Sequence, residues 1–287
     1  MVLLTGDLGF MALEPLRDKL GERFINCGVA EQTMISVAAA MAKEKLDVWT
    51  YTIAPFCYAR ALEQIRNDVC QHGLPVKMLA NGGGYGYGVM GSTHHALEDY
   101  GILSTLPGMR IYAPAVDADI ADVIAAAGNL GSASYIRLGR DERPAGLAVP
   151  AYAPWRRLMA GDGPVVVSLG PIAGPVYQAL SEIRHVQPEF WIVSELPVVA
   201  AQMPDALAQS ISKSGRLCVV EEHVKPGGLA SMLCQWAVEA GIHISGFRHL
   251  HANNRSQGAS GSQDYLRRCN GLGSETIKES VCSLIKV

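Results

Sequence analysis

The stretch Cys27–Ile35, CGVAEQTMI, places one glutamate inside an apolar or small run, just where a helix is about to begin. The following segment, EQTMISVAAAMA, is apolar on nearly all sides, the pattern of a buried helix. Asp and Glu are almost never fully buried without a partner. Two readings of Glu31 stay open on the residues alone. It sits at the helix start, where the macrodipole favours negative charge by about 0.3–1 kcal/mol and backbone N–H groups satisfy it. Or it stands in a dry site and hydrogen-bonds a ligand nitrogen. Further on, Asn81–Gly91, NGGGYGYGVMG, carries six glycines in eleven residues. No P-loop lysine follows, so as a phosphate cradle it is a weak signal.

The elements that must position these residues alternate. DVWTYT (Asp47–Thr52), PVKMLA (Pro75–Ala80), MRIYAP (Met109–Pro114) and SYIRL (Ser134–Leu138) read as strands. ARALEQIRNDVCQ (Ala59–Gln71) puts Leu62, Ile65 and Val69 on one helical face, and DADIADVIAAA (Asp117–Ala127) reads as a helix opened by an Asp cap. The pattern lapses over Asp141–Gly163, which holds three prolines. It restarts with PVVVSLG (Pro164–Gly170), FWIVSE (Phe190–Glu195) and RLCVVEE (Arg216–Glu222). Helices are expected near Pro171–Ile183, Ala200–Lys213 and Gly227–Ala240. Strands separated by single helices imply parallel βαβ units. The expectation is an α/β fold of two doubly wound domains, 1–145 and 164–287, joined by a linker at 146–163. NNRSQGASGSQDYL (Asn253–Leu266) reads as a polar surface loop.

Composition excludes several classes. The chain has 287 residues, 49% hydrophobic and 18% charged, with a net charge of −3 and no basic run, so nothing points to nucleic acid or an anionic membrane surface. No apolar run approaches the roughly 18 residues that span a bilayer. The N-terminus MVLLTGDLGF lacks a basic leader. The seven cysteines are scattered without a CxxC pair, so reduced thiols in a cytoplasmic protein are expected, with no zinc site.

Five ordered blocks resemble the thiamine-diphosphate enzymes of the transketolase family. RFINCGVAEQTMISVAAAMA is similar to the pyrimidine-domain block with its Ala-Glu-Gln at a helix start. ARALEQIRNDV, GSTHHALEDYGILSTLPGMRIYAPAVDAD, YIRLGR and LCVVEEHVKPGGLASML resemble later blocks in the right order. The resemblance implies a pyrimidine-binding domain followed by a transketolase C-terminal domain. It also implies that Glu31 hydrogen-bonds N1′ of the cofactor's aminopyrimidine and so helps to remove the proton from thiazolium C2. By the same resemblance aromatic side chains stack on the pyrimidine; aligned without gaps from Glu31 to Arg60, two such positions fall on Ala54 and Cys57, and of the nearby aromatics Phe56 is preferred over Tyr58, with Ile53 beside them. His94 faces the substrate and His95 stands near or behind it. Arg140, or Arg137 in its place, holds a substrate phosphate. The glycine-rich loop lines the substrate channel, with Tyr85 and Tyr87 at its edge.

The chain also departs from the pattern. Val89 and Met90 stand near the place of an acidic, sugar-reading residue, which puts ordinary sugar-phosphate specificity in doubt. The family's diphosphate motif, Gly-Asp-Gly followed by Asn, has no proper counterpart. Gly161–Gly163 reads GDG, but no Asn follows before Asn253. The expectation is the C-terminal subunit of a split enzyme. Its N-terminal partner would carry diphosphate and Mg²⁺ in an α₂β₂ assembly, acting on a small sugar. EEHVKPGG is expected at the dimer interface, with His223 structural. The alternatives are a deoxyxylulose-phosphate-synthase-like or 2-oxoacid-decarboxylating subunit, and an idle regulatory chain.

Overall fold

The computed structural model describes residues 1–253 and 260–285. Its first half lays down β1 (Val2–Thr5), α1 (Glu14–Leu20), β2 (Phe24–Asn26), α2 (Glu31–Lys43), β3 (Val48–Ile53), α3 (Ala54–Tyr58) and α4 (Leu62–Gln64). The helix after α4 continues as a π-helical turn over Ile65–Cys70, burying Ile65 and Val69. Then come β4 (Lys77–Asn81), α5 (Asp99–Leu103), β5 (Arg110–Tyr112), α6 (Ile120–Asn129) and β6 (Ser134–Leu138). The second half holds β7 (Trp155–Met159), β8 (Val165–Leu169), α7 (Ala173–Ser181), β9 (Glu189–Val193), β10 (Glu195–Leu196), α8 (Asp205–Ser214), β11 (Arg216–Glu221), α9 (Leu229–Glu239), β12 (Gly246–His251), α10 (Gln263–Cys269) and α11 (Ser274–Ile285).

Two sheets result, one of seven strands in the order β10-β5-β6-β4-β3-β1-β2 and one of five in the order β12-β11-β8-β9-β7. All pairings are parallel except the edges, β10 on β5 and β7 on β9. β1 lies between β2 and β3, with Leu3 opposite both Phe24 and Trp49. Strand order therefore reverses at β1, and in open parallel sheets the crevice at the carboxyl ends of such strands is where ligands bind. Helix α2 is buried through Met34, Ile35, Ala38, Ala39 and Ala42, which sets its first residue, Glu31, against that crevice.

The two sheets share one hydrophobic cluster, running from Val2 and Met34 to Val167 and Leu217. The residues expected as linker are not all connection, since β7 forms an edge strand there. Arg156 on β7 is buried and meets both carboxylate oxygens of Asp119 at 2.7 Å. A buried charge at the second position of a short strand breaks the hydrophobic alternation by which strands are recognised. Asp119, not Asp117, accepts the backbone N–H groups of Ala115 and Val116 ahead of α6. Part of the expected polar loop is α10, with Leu266 and Arg267 buried; 254–259 lie outside the described residues.

Candidate active site

Glu31 is 1% exposed, and its carboxylate finds partners in its own chain. Oε1 accepts from Thr52 Oγ1 at 3.1 Å and Oε2 from Arg60 Nη1 at 2.5 Å. Thr52 comes from the end of β3, and Arg60 from the turn between α3 and α4. Gly6, just past β1, packs so closely that a Cβ there would lie 3.1 Å from Glu31 Oε1. Arg60 also lies over Phe56, its guanidinium carbon 4.3 Å from the ring centroid. The Phe56 ring is half-buried and meets the His94 ring edge-on, centroids 5.1 Å apart at 67°. His94 Nδ1 is 3.0 Å from Thr93 Oγ1, and the Tyr87 ring stands 6.4 Å from the imidazole. Asn81, ending β4, donates to the hydroxyls of Tyr87 and Tyr51 at 2.8 and 3.1 Å. The carboxyl ends of β1, β3 and β4 thus gather Glu31, Phe56, His94 and Tyr87 on one rim.

The other residues singled out in the sequence fall differently. Ile53 ends β3, half-buried. Tyr58 is in the core, its hydroxyl donating to Glu98 at 2.8 Å; burial, then the charges of Asp99 and Glu98, push its pKa well up. Its ring is packed among core side chains, whereas that of Phe56 is half-buried. His95 is buried with its ring edge-on to Tyr85 at 5.1 Å, and Nε2 has no hydrogen-bond partner among the described residues. Tyr85 is itself fully buried, not at the loop's edge.

Arg137 is not free for a phosphate. It is 3% exposed and donates to Asp99 at 2.8 Å and to the carbonyls of Ala96 and Glu222 at 3.1 and 3.0 Å. Arg140 is exposed and lines a cavity of about 550 Å³ with Tyr87, Gly88, Glu142, Gln263 and Asp264.

The GDG triplet is a packed turn. A Cβ on Gly161 would come 2.2 Å from the Gln187 carbonyl, and exposed Asp162 pairs with Lys213 at 2.8 Å. Among the described residues no group of three or more His, Cys, Asp or Glu is placed to hold a metal ion. No helix among them is long and apolar enough to cross a membrane. All seven cysteines are free, and burial pushes Cys57 up to about 12.

In the EEHVKPGG segment, Glu222 and His223 are buried within the chain and join its two sheets, so these side chains do not face a dimer interface. Glu222 accepts from the Tyr85 N–H at 3.0 Å and from Arg267 at 2.9 Å, and His223 Nε2 accepts from the Gly101 N–H at 3.1 Å. Sequence reading missed Gly6, Thr52 and Arg60 as neighbours of Glu31. Arg60 stood in a block already recognised, but nothing local says that it turns back 29 residues to a carboxylate.

The family model for the transketolase pyrimidine-binding domain matches residues 2–144. One of the subunits of the apulose-4-phosphate transketolase of Phocaeicola vulgatus is 28% identical over 257 residues, 85% of this chain and 80% of its own. The 1-deoxy-D-xylulose-5-phosphate synthase of Clostridium perfringens is 27% identical over 95% of this chain and 44% of its own. A solved split-gene transketolase, described as an inactive β4 tetramer, superposes with a TM-score of 0.84 at 26% identity, covering 99% of this chain and 92% of that one. Sequence blocks, sheet topology and these likenesses agree: the chain belongs to the transketolase family, and residues 2–144 are its pyrimidine-binding domain.

Proposed function

We propose that this chain is the C-terminal subunit of a split transketolase-like enzyme. It would move a two-carbon ketol unit from a ketose phosphate donor to an aldehyde acceptor with thiamine diphosphate. The carrying observation is Glu31, a buried carboxylate at the start of α2 that Arg60 links to the half-buried ring of Phe56. A flat, nitrogen-bearing ring fits that pair, with one face on Phe56 and one nitrogen on the carboxylate.

When bound, thiamine diphosphate supplies a carbon nucleophile at thiazolium C2. Glu31 would hold N1′ of the aminopyrimidine by a hydrogen bond and so set which pyrimidine nitrogen carries the proton, in a low dielectric where that bond is strong. Phe56 stacks on the ring and, with Ile53, keeps water from it. His94, half-exposed at the rim, hydrogen-bonds the reacting oxygen of the substrate. His95 acts from behind by fixing the glycine-rich loop, and Tyr58 supports Phe56 from the core. Arg140 takes the phosphate at the 550 Å³ cavity. The diphosphate and Mg²⁺ are assigned to an N-terminal partner chain, in an α₂β₂ assembly. The apulose-4-phosphate transketolase relative, itself one chain of a divided enzyme, and the split-gene transketolase support this division. Exposed Val89 and Met90, 68% and 59% accessible, favour a less polar sugar than the ordinary one. Xylulose 5-phosphate as the best donor would refute that last point.

The synthase relative supports a second reading, a deoxyxylulose-phosphate-synthase-like chain. Decarboxylation of pyruvate without a ketose donor would select it. Calorimetric titration of thiamine diphosphate with Mg²⁺, into the chain alone and mixed with a co-encoded N-terminal subunit, tests the divided site. Tight binding is expected only in the mixture; tight binding to the lone chain overturns the assignment. Turnover that survives Glu31→Ala in the mixture would favour an idle regulatory chain.

A further inference from the structure

We infer that Arg60 is an internal plug of the pyrimidine site, holding Glu31 until the cofactor takes its place. This rests on the function proposed above. Three measurements carry it. Arg60 Nη1 donates to Glu31 Oε2 at 2.5 Å, its guanidinium carbon lies 4.3 Å from the Phe56 centroid, and its side chain is 38% exposed while Glu31 is 1% exposed.

A guanidinium is planar, delocalised and edged with N–H donors, and it stacks on aromatic faces. Those are also the recognition features of an aminopyrimidine. Arg60 therefore makes, from within the chain, the two contacts proposed for the cofactor: a stack on Phe56 and a hydrogen bond to Glu31. Arg60 lies over the face of Phe56, while His94 meets the same ring in a T-shaped contact. One flat group at a time can cover that face and reach the same carboxylate oxygen.

The arrangement has a physical cause. Without a partner beyond the Thr52 hydroxyl, Glu31 would be a buried, uncompensated charge, which is strongly destabilising. Arg60 neutralises it. The side chain leaves from a three-residue turn, Ala59–Ala61, between α3 and α4, so it can swing toward solvent without unpacking a helix. Glu31 is thus stabilised before assembly and released to the cofactor afterwards. The consequence is competition: a plug in place about nine-tenths of the time weakens apparent cofactor affinity about ten-fold.

The test uses the full chain mixed with its N-terminal subunit, wild type against Arg60→Met and Arg60→Lys. The readouts are the calorimetric Kd for thiamine diphosphate with Mg²⁺ and the melting temperature of each chain alone. Arg60→Met is expected to melt lower alone, because Glu31 loses its counter-charge, yet to bind thiamine diphosphate about ten-fold more tightly once assembled. Arg60→Lys keeps the charge but cannot cover the ring, so it should melt near wild type and bind with intermediate affinity. It carries the test if Arg60→Met does not fold. Equal or weaker cofactor binding by the folded variants overturns the plug and makes Arg60 a cofactor-holding or merely structural residue. Absence of binding in wild type and variants alike overturns the functional reading along with it.

Discussion

The Tyr100 hydroxyl donates to Glu221 Oε2 at 2.5 Å, joining α5 beside the first sheet to the end of β11 in the second. Glu221 is fully buried and also accepts from the N–H groups of Leu229 and Ala230 at 2.7 and 3.0 Å, where α9 begins. His249 Nε2 is 2.8 Å from its other oxygen. Tyr100→Phe should cost about 1–3 kcal/mol in a denaturant titration, the penalty for a buried acceptor that loses a donor. Burial pushes the Glu221 carboxyl up, but the His249 bond and the Tyr100 and Ala230 bonds outweigh it and hold it low. A carboxyl depressed on folding stabilises above its unfolded value, near 4.3, and loses that contribution as pH falls through the folded one. Glu221→Gln should flatten the acid limb of the stability curve; an unchanged limb would show that other carboxylates control it.

Gly6 separates cofactor binding from folding. A Cβ there would meet Glu31 Oε1 at 3.1 Å and Thr52 Oγ1 at 3.4 Å, and its φ is not in the left-handed region. Gly6→Ala should leave stability within about 1 kcal/mol, since the stiffer unfolded chain offsets the contact. Thiamine diphosphate affinity should fall several-fold or more as the carboxylate moves. Calorimetry and thermal melts on one preparation check both halves.

The two arginines of YIRLGR should behave as opposites. Arg137 sits with Asp99, 4% and 0% exposed at the side chain, and removing one partner of a buried pair costs about 3–5 kcal/mol. Arg137→Met should therefore unfold readily, with little to read in kinetics. Arg140→Met should fold as wild type and raise KM for phosphorylated substrates about ten-fold or more, the worth of a charged hydrogen bond. Equal KM for phosphorylated and free sugars in wild type would remove Arg140 from the site.

The neighbouring histidines also divide. Burial lowers the His95 pKa, outweighing the Gly88 carbonyl and the Glu222 charge that raise it. The folded chain then prefers the neutral ring, while the unfolded chain takes a proton near pH 6.5. Stability should fall as pH drops from about 7 to 5, and His95→Gln should remove that slope. His94→Ala should leave the slope and lower kcat. A slope that survives in His95→Gln would assign it to another group.

The sequence was most informative where a local rule was broken for a reason. Glu31 at the head of an apolar helix announced itself, and Phe56 and His94 do meet at the same rim. What escaped notice depended on long loops closing: Thr52 and Arg60 reach Glu31 across 21 and 29 residues, and no local pattern encodes that approach. β7 was hidden by the prolines around it and by the buried charge of Arg156. β12, GFRHLH, alternates but carries His and Arg where an alternating strand would show apolar side chains. α10 was masked by the Gly and Ser residues before it, although Ser262 accepts from the Tyr265 N–H and so opens the helix.

β10 supplies Glu195 and Leu196 from the second half of the chain to cover the outer edge of β5 in the first sheet. A fragment ending near residue 145 would leave β5 as a bare strand edge, its N–H and C=O groups open to any passing strand. The pyrimidine-binding half expressed by itself should therefore self-associate through that edge, and the second half serves the first as a guard against strand-mediated aggregation.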